Sequence, residues 1–355
     1  MHNLQLTEDQ DMIVDTIRKF VADVVAPSAQ ELDEHRTFVQ DQFAGLAELG
    51  VFGLCVAEAS GGVGMGLVPF VAALESIGAH SSSLARLWIT QVQSALALDA
   101  ATSDSHSREA LGEVVAGAKL FAFVGAEHGI TWQGGKLAGA ARFVSGGEGA
   151  QSFVVVASEN GAPVLLLVDA GQCKRTALRA LGLASAGCTA VGFDGLAGKV
   201  IARGSDAVAA IARAELVAWL GVAATAVGAG YASIAAAKKH AGERIAFGKP
   251  LLVQEAVQRK LVECKRAVDA ARQLAWHGAR LHDLGEAATE FAMTARIAAV
   301  DAMVRAADEA IQVHGGFGYT VEYHVERHYR DGKTFEVLDG GSEALRNRLA
   351  VLALA

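Results

Sequence analysis

Proline is scarce in this sequence, and residues typical of disordered chains do not dominate it. Only four prolines occur among the 355 residues, whereas hydrophobic residues make up 52% of the chain and glycine occurs 39 times. Disorder would require low hydrophobicity, so this composition indicates tightly packed, alanine-rich helices. The length is enough for two or three structural domains with a large core.

Paired cysteines, excess positive charge and a secretory signal are missing as well. The four cysteines form no C-x-x-C pair, which favours a reduced, cytoplasmic protein without a structural metal site. The net charge of -8 argues against nucleic acid as the main partner, although it permits a local basic patch for an anionic cofactor. The start MHNLQLTEDQ lacks the basic and apolar pattern of a signal peptide.

One long uncharged run has to be weighed as a membrane span. Residues 216–237, LVAWLGVAATAVGAGYASIAAA, contain no charge. Most of the run is alanine and glycine, which gain little free energy in lipid, and the helical pattern continues directly into KKHAGER. The sequence therefore predicts a buried helix of a bundle, and no membrane span.

Helical and β patterns alternate along the chain in three blocks. Residues 1–120 predict helices, with Thr7 and Gln10 in a capping box and Pro27 helping to end the first helix. Residues 121–204 contain short apolar runs separated by Gly, Asn and Asp, which indicate a small β domain. Residues 205–355 return to helical periodicity. The predicted fold class is α+β, mainly α, with an N-terminal helical domain, a middle β domain and a C-terminal bundle.

Two motifs in the C-terminal block suit a nucleotide cofactor. In ERIAFGKPL, Arg244 offers a planar, permanently charged fork for a pyrophosphate, and Phe247 offers a flat apolar surface. In IQVHGGFGYTVEYHVERHYRD, Gly315 and Gly316 lack Cβ atoms, so a ligand can approach the backbone amides. Taken alone, a GGxG is more typical of a turn, and an arginine at a helix end is more typical of a solvated cap.

With this spacing, the two motifs resemble those of the acyl-CoA dehydrogenase family of flavoproteins, and the resemblance covers nearly the whole chain. It implies FAD bound across an interface between subunits of a homo- or hetero-oligomer, an acyl-CoA thioester substrate and an electron-transfer flavoprotein or similar acceptor. It places five residues against the flavin nucleotide of the neighbouring chain: Arg244, Phe247, Gln312, Gly315 and Gly316. In GAARFVSGG, Phe143 would cover the chain's own flavin ring and Ser145 would hydrogen-bond it.

Several positions depart from the family pattern. After LFAFV the family's TEPxxGSD segment is replaced by GAEHGITWQGGKL, where Glu127 is either a remnant of that segment or a surface residue. Trp219 stands where many members have arginine and is more typical of core packing than of a cofactor contact. Ala218 occupies the position of an alternative base. After the first motif, Glu255 stands where the family has a glutamine, with Gln254 next to it.

The turn FEVLDGGSE carries the candidate catalytic residue. It aligns with the family's EGT(S/N)E-like turn, so Asp339 replaces the glutamate base and Gly341 replaces the threonine. Glu343 keeps a polar side chain where the family contacts its flavin. Asp339 is one methylene shorter than glutamate, and the alternative is that it only forms a turn with the two glycines.

The leading functional hypothesis is an FAD-dependent acyl-CoA dehydrogenase. Asp339 would abstract the α-proton of an acyl-CoA thioester and FAD would accept the β-hydride. The alternative is a non-catalytic or half-site partner subunit of a heteromeric dehydrogenase, because the residues expected to reach a neighbour's flavin are kept while several around the chain's own flavin have changed. A third hypothesis is an oxidase similar to the nitroalkane oxidases, which use an aspartate base.

Overall fold

The computed structural model describes residues 5–101, 105–246 and 248–354, and in them helices precede and follow a group of strands. The N-terminal helices are α1 (Glu8–Phe20), α2 (Ala26–His35), α3 (Gln40–Glu48), α4 (Val68–Gly78), α5 (Ser82–Ala100) and α6 (Ser105–Val115). The C-terminal helices are α7 (Gly204–Glu243), α8 (Glu255–Asp283), α9 (Thr289–His314), α10 (Val325–Phe335) and α11 (Gly341–Leu354). The predicted fold class and the order of helical, β and helical blocks are confirmed.

The strands lie between α6 and α7 and form two sheets. They are β1 (Phe121–Val124), β2 (Thr131–Gln133), β3 (Lys136–Ala138), β4 (Ala140–Val144), β5 (Ser152–Glu159), β6 (Ala162–Asp169), β7 (Lys174–Ala177), β8 (Thr189–Gly192) and β9 (Lys199–Arg203). The larger sheet has the order β3-β2-β5-β6-β9, with β1 parallel to β5, and the smaller has the order β4-β8-β7. A short hairpin, Ile245–Ala246 (β10) with Lys249–Pro250 (β11), follows α7. The predicted domain boundaries at residues 120 and 204 stay a prediction.

The first helix begins as predicted and does not end as predicted. The Gln10 amide donates to Thr7 Oγ1 at 3.3 Å, and the Thr7 amide donates to Gln10 Oε1 at 3.1 Å, so the capping box is formed. The prediction that Pro27 helps end this helix is wrong. The chain passes through one wide π-helical turn, Val21–Val25, and continues as α2, with Pro27 in its first turn. Pro27 has no N–H to donate, and the π-helical turn before it, in which the Ala26 amide donates to the Val21 carbonyl oxygen, interrupts the regular helical hydrogen bonds at this point.

Helix α7 runs through the middle of the molecule and packs closely against α4. Residues 216–230 are all buried, which confirms the prediction of a buried bundle helix. A Cβ atom on Gly228 would lie 2.0 Å from the Glu75 carbonyl oxygen, and one on Gly78 would lie 2.4 Å from the Thr225 carbonyl oxygen. The two backbones approach this closely because both positions are glycine.

The β region is joined to α10 by buried hydrogen bonds. The Leu183 amide donates to Asp331 Oδ1 at 2.6 Å, and the Gly182 amide donates to Thr334 Oγ1 at 3.0 Å. Burial is the main reason that the pKa of Asp331 is raised, to about 6. These contacts fix the sheets against the helix that leads into the turn at Asp339.

Candidate active site

The turn that carries Asp339 has an unusual backbone. Asp339 has φ 53° and ψ 48°, Gly340 has φ 80° and Gly341 has φ 78°, so three consecutive residues have a positive φ. Aspartate tolerates this conformation better than most side chains, and glycine adopts it freely. The turn separates α10 from α11 and places the Asp339 carboxylate beside the N-terminal part of α5.

Arg86 on α5 holds the Asp339 carboxylate with both ends of its guanidinium. Nη1 donates to Oδ2 at 2.9 Å and Nη2 donates to Oδ1 at 2.8 Å. The Arg86 side chain is 3% exposed and the Asp339 side chain 21% exposed, so water screens this bidentate pair only weakly. Nothing in the sequence pattern pointed to Arg86, which stands within an otherwise uncharged stretch of helix.

The same arginine reaches Ser145. Arg86 Nε donates to Ser145 Oγ at 3.2 Å, and Ser145 is only 3% exposed. Phe143, two residues earlier on β4, is half-buried against the core. The structure therefore brings two predicted site residues, Ser145 and Asp339, to one guanidinium that occupies the space between them.

Glu127 lies at this site and not on a remote surface loop. It belongs to the short helical turn Ala126–His128 after β1, and a Cβ atom on Gly340 would lie 3.9 Å from its Cβ. Burial and, next, the charge of Asp339 raise the pKa of Glu127 to about 7, although its side chain keeps 31% of its surface exposed. Two carboxyl groups therefore meet beside Arg86.

The space beside these carboxyl groups is small. A cavity of about 40 Å³ is lined by residues that include Phe123, Glu127, Trp219 and Asp339. Sites for small molecules usually offer about 300 to 1,000 Å³. The cavity as it stands has room for a few water molecules and none for an acyl chain.

Trp219 and Arg348 close one side of this cavity. The Arg348 guanidinium carbon lies 4.8 Å from the centre of the Trp219 ring, and its nitrogens donate to both Glu215 carboxylate oxygens at 3.0 and 3.1 Å. Trp219 is 4% exposed, so it serves core packing, as predicted, and also forms the cavity wall. Arg348 lies a few residues after the EGT(S/N)E-like turn, but the sequence alone could not predict that it contacts Trp219.

Arg296 supports the Asp339 turn from below. It is 0% exposed, and Nη2 donates to the carbonyl oxygens of Phe335, at 3.4 Å, and Leu338. Burial lowers the pKa of Arg296, while the negative charge of Asp339 opposes that shift. Two buried arginines thus hold the turn: Arg86 binds the Asp339 carboxylate, and Arg296 binds the backbone carbonyl oxygens that precede it.

The residues predicted to reach a neighbour's flavin form a second, separate group. Arg244 follows α7, and Gln312, Gly315 and Gly316 lie at the end of α9, all of them exposed. His240 and His314, whose rings stack at 4.4 Å, bring these two helix ends together. Phe247 lies outside the described residues. Around this group, Ile245 is 57%, Phe317 59% and Tyr319 86% exposed.

The remaining predicted site residues divide between the turn and the surface. Gly341 lies in the turn itself, and a Cβ atom there would come within 2.7 Å of the Glu336 carbonyl oxygen. Glu343 has an 85% exposed side chain that pairs with Arg346 at 2.8 Å. Glu343 therefore does not meet Asp339 within this chain.

Comparison with known proteins identifies the family of this chain. The family models for the N-terminal and C-terminal domains of acyl-CoA dehydrogenases match residues 7–118 and 217–353. An acyl-CoA dehydrogenase of Bacillus subtilis is 27% identical over 97% of both chains, and a 3-(aryl)acrylate reductase of Clostridium sporogenes is 26% identical over 95% of this chain and 96% of that protein. Butyryl-CoA dehydrogenase of Megasphaera elsdenii has the same fold, with a TM-score of 0.91 at 23% identity and full coverage of both chains. As the motifs predicted, this chain belongs to the acyl-CoA dehydrogenase family of flavoprotein oxidoreductases.

Proposed function

We propose that this chain works as a half-site subunit of a cytoplasmic acyl-CoA dehydrogenase, in which it completes the FAD site of a partner chain. The observation that carries the proposal is the position of Arg86. Its guanidinium engages both oxygens of Asp339 and the hydroxyl of Ser145. These are the two groups that a catalytic chain would offer to substrate and flavin, and here they bind each other through Arg86.

The chain's own side of the flavin site fits FAD poorly. Ser145 is buried with its oxygen accepting from Arg86, so it is not presented to a flavin ring. Asp339 would have to leave a nearly buried guanidinium before it could take a proton. Breaking one partner out of a buried ion pair costs about 3 to 5 kcal/mol. A barrier of that size, added to the barrier of the reaction, would slow proton abstraction by about a hundredfold or more.

The exposed group at the ends of α7 and α9 fits a flavin nucleotide well. Among the described residues, no carboxylate lies within ion-pair distance of Arg244, so its guanidinium is free for a pyrophosphate. Among the described residues, apart from the neighbouring backbone, no atom lies within 4 Å of a Cβ built on Gly315 or Gly316, so a ligand can reach this backbone. With Gln312, these residues would hold the nucleotide of a partner's FAD. The bound FAD would supply the hydride acceptor of the partner's reaction.

A second candidate is that the chain itself dehydrogenates an acyl-CoA thioester, with Asp339 as the base. The observation that favours it is the raised pKa of Glu127, about 7, beside Asp339. A pair of neighbouring carboxyl groups with one pKa near neutrality is typical of catalytic sites. In this candidate, Asp339 leaves Arg86 when the thioester enters and takes its α-proton. Bound FAD would supply the acceptor for the β-hydride, and the two electrons would then pass to an electron-transfer flavoprotein or similar acceptor.

Co-expression with an acyl-CoA dehydrogenase chain that keeps the family's catalytic glutamate tests the half-site proposal. We expect a mixed oligomer whose FAD content falls when Arg244→Ala is introduced into this chain. Loss of one charge-assisted hydrogen bond costs about 1.5 to 3 kcal/mol, which corresponds to roughly ten- to a hundredfold weaker binding. Arg266→Ala, which removes an exposed arginine paired with Glu263 on α8, is the matched control.

The outcome of that experiment separates the two candidates. Unchanged FAD content in the Arg244→Ala complex would contradict the half-site proposal. Under the half-site proposal, thioester-dependent bleaching of the flavin survives Asp339→Glu and Asp339→Asn in this chain. Under the second candidate, Asp339→Asn abolishes bleaching because an amide cannot accept the α-proton.

A further inference from the structure

A second, larger pocket lies further along α7, beside residues 228–239, away from the Asp339 site. It has a volume of about 700 Å³ and is formed by α2, α4, α7 and α10. Its cationic or imidazole side chains are His80, Lys239, His324 and Arg327, and its apolar wall is formed by Ala232, Ala235 and Ala236. The volume falls within the range of about 300 to 1,000 Å³ typical of small-molecule sites.

Arg327 opens into this pocket without a partner. It is 8% exposed, and among the described residues no carboxylate or carbonyl oxygen accepts a hydrogen bond from its guanidinium. The adjacent Glu326 pairs with Arg330 at 2.6 Å, and Arg330 also binds Asp33 at 2.5 Å. Nearby carboxylates are therefore committed elsewhere. Asp331, one helical turn further along α10, is close enough for the charge of Arg327 to lower its pKa, but the hydrogen bond that it accepts comes from the Leu183 amide and none comes from Arg327. A nearly buried guanidinium without a hydrogen-bond acceptor is unfavourable, so an anion in the pocket would complete the environment of Arg327.

The other groups in the lining suit an anion as well. Burial, followed by the charge of Arg327, lowers the pKa of both His80 and His324, so each imidazole is a neutral N–H donor at pH 7. Glu75 is the acidic residue of the lining, and its negative charge is already compensated by hydrogen bonds from other side chains. It accepts hydrogen bonds from Arg272 Nε at 2.9 Å and from Trp276 Nε1 at 2.6 Å.

We propose that this pocket is a binding site for the oxyanion group, phosphate or carboxylate, of a small molecule, with Arg327 as its bidentate ligand. The planar fork of arginine matches two oxygens of either group. His80, His324 and Lys239 surround the anion, and the alanines of α7 contact the apolar part of the molecule. His324 and Arg327 lie in the second family motif, but none of the residues assigned to FAD or to catalysis lines this pocket, so the proposal is independent of the proposed function.

Thermal unfolding of the full-length chain tests this site, with inorganic phosphate and acetate as probes at constant ionic strength. We expect at least one probe to raise the melting temperature of the wild type in a saturable way, and the larger effect identifies the preferred oxyanion. Arg327→Met should abolish the rise. Without any probe, Arg327→Met should melt no lower than the wild type, because it removes an unpaired buried charge.

Two further variants keep the test decisive. Arg327→Lys keeps the charge but loses the fork, so the apparent Kd should rise by about tenfold or more even if Arg327→Met does not fold. Arg244→Met removes the exposed cation of the FAD group and should leave the response intact. The proposal is overturned if neither probe shifts the wild type, if Arg327→Lys responds like the wild type, or if Arg244→Met alone removes the response.

Discussion

At the scale of single residues, Asp339 is the position predicted from the resemblance to take the place of the family's glutamate base, and both of its oxygens accept from Arg86. The motif alignment could predict the position of Asp339, because the flanking residues of the turn follow the family. It could not predict Arg86, which is 253 positions away in sequence and meets Asp339 only through the packing of α5 against the Asp339 turn. The alignment could not predict Arg296 either, because its hydrogen bonds to the backbone of the turn depend on the packing of α9.

Asp339→Asn should destabilise the protein, because it leaves the Arg86 guanidinium nearly buried without its counter-charge. We expect the free energy of unfolding to fall by about 3 kcal/mol, measured by urea denaturation at pH 7. Glu343→Gln is the matched control, since it breaks the exposed pair with Arg346 and should have no measurable effect. If the Asp339→Asn variant were as stable as the wild type, the ion pair with Arg86 would not be what holds this turn.

Asp331→Asn should change the pH dependence of stability. The folded-state pKa of Asp331, about 6, lies above its unfolded value of about 3.9, so the folded state binds the proton more tightly. Asp331 therefore contributes stability at low pH that is lost as the pH rises through about 6. Relative to the asparagine variant, the wild type should lose about 3 kcal/mol between pH 4 and pH 8.

The measurement is the free energy of unfolding in urea at several pH values for the wild type, Asp331→Asn and Asp308→Asn. Asp308 is an exposed aspartate on α9 and serves as the control, whose profile should follow the wild type. Parallel profiles for the wild type and Asp331→Asn would contradict this interpretation of Asp331.

At the scale of secondary structure, apolar periodicity predicted the helical blocks and five of the strands in the β region. The apolar runs LFAFVGA, ARFVSGG, SFVVVAS, PVLLLVD and TAVGFDG correspond to β1, β4, β5, β6 and β8. The missed strands, β2, β3, β7 and β9, are short and partly polar, and all four residues of β7 are exposed. Their hydrogen bonds to neighbouring strands stabilise them, and a local pattern cannot reveal such a partner. The continuation of the first helix past Pro27 was also missed, because a local sequence pattern does not predict the π-helical turn through which the chain continues into α2.

Gly341→Thr, which restores the residue usual in the family, should damage this turn. Gly341 has φ 78°, and a Cβ atom there would lie 2.7 Å from the Glu336 carbonyl oxygen. A β-branched residue in this conformation is strained, so we expect a loss of about 2 kcal/mol in the free energy of unfolding. Gly112→Ala is the control: it lies inside α6 with open space around it and should be neutral or stabilising by up to about 1 kcal/mol. A neutral Gly341→Thr variant would contradict the positive φ of Gly341 and its close approach to Glu336.

At the scale of the whole molecule, the two groups of candidate cofactor residues lie in different places and differ in burial and in side-chain pairing. The group around Asp339 is buried and internally paired, whereas Arg244, Gln312, Gly315 and Gly316 are exposed among apolar side chains such as Phe317 and Tyr319. The sequence suggested this asymmetry through the motifs that were kept and those that had changed. Only the structure supplies a physical reason, which is that Arg86 fills the place between Ser145 and Asp339.

The FAD content of this chain purified alone, after incubation with excess FAD and removal of the unbound cofactor, tests this interpretation most directly. Visible flavin absorbance against protein concentration gives the ratio of FAD to chain. A half-site subunit should retain little or no FAD by itself and gain it only in a complex with a catalytic partner. About one FAD per chain in the isolated protein, bleached by an acyl-CoA thioester, would contradict the half-site proposal and establish this chain as a dehydrogenase in its own right.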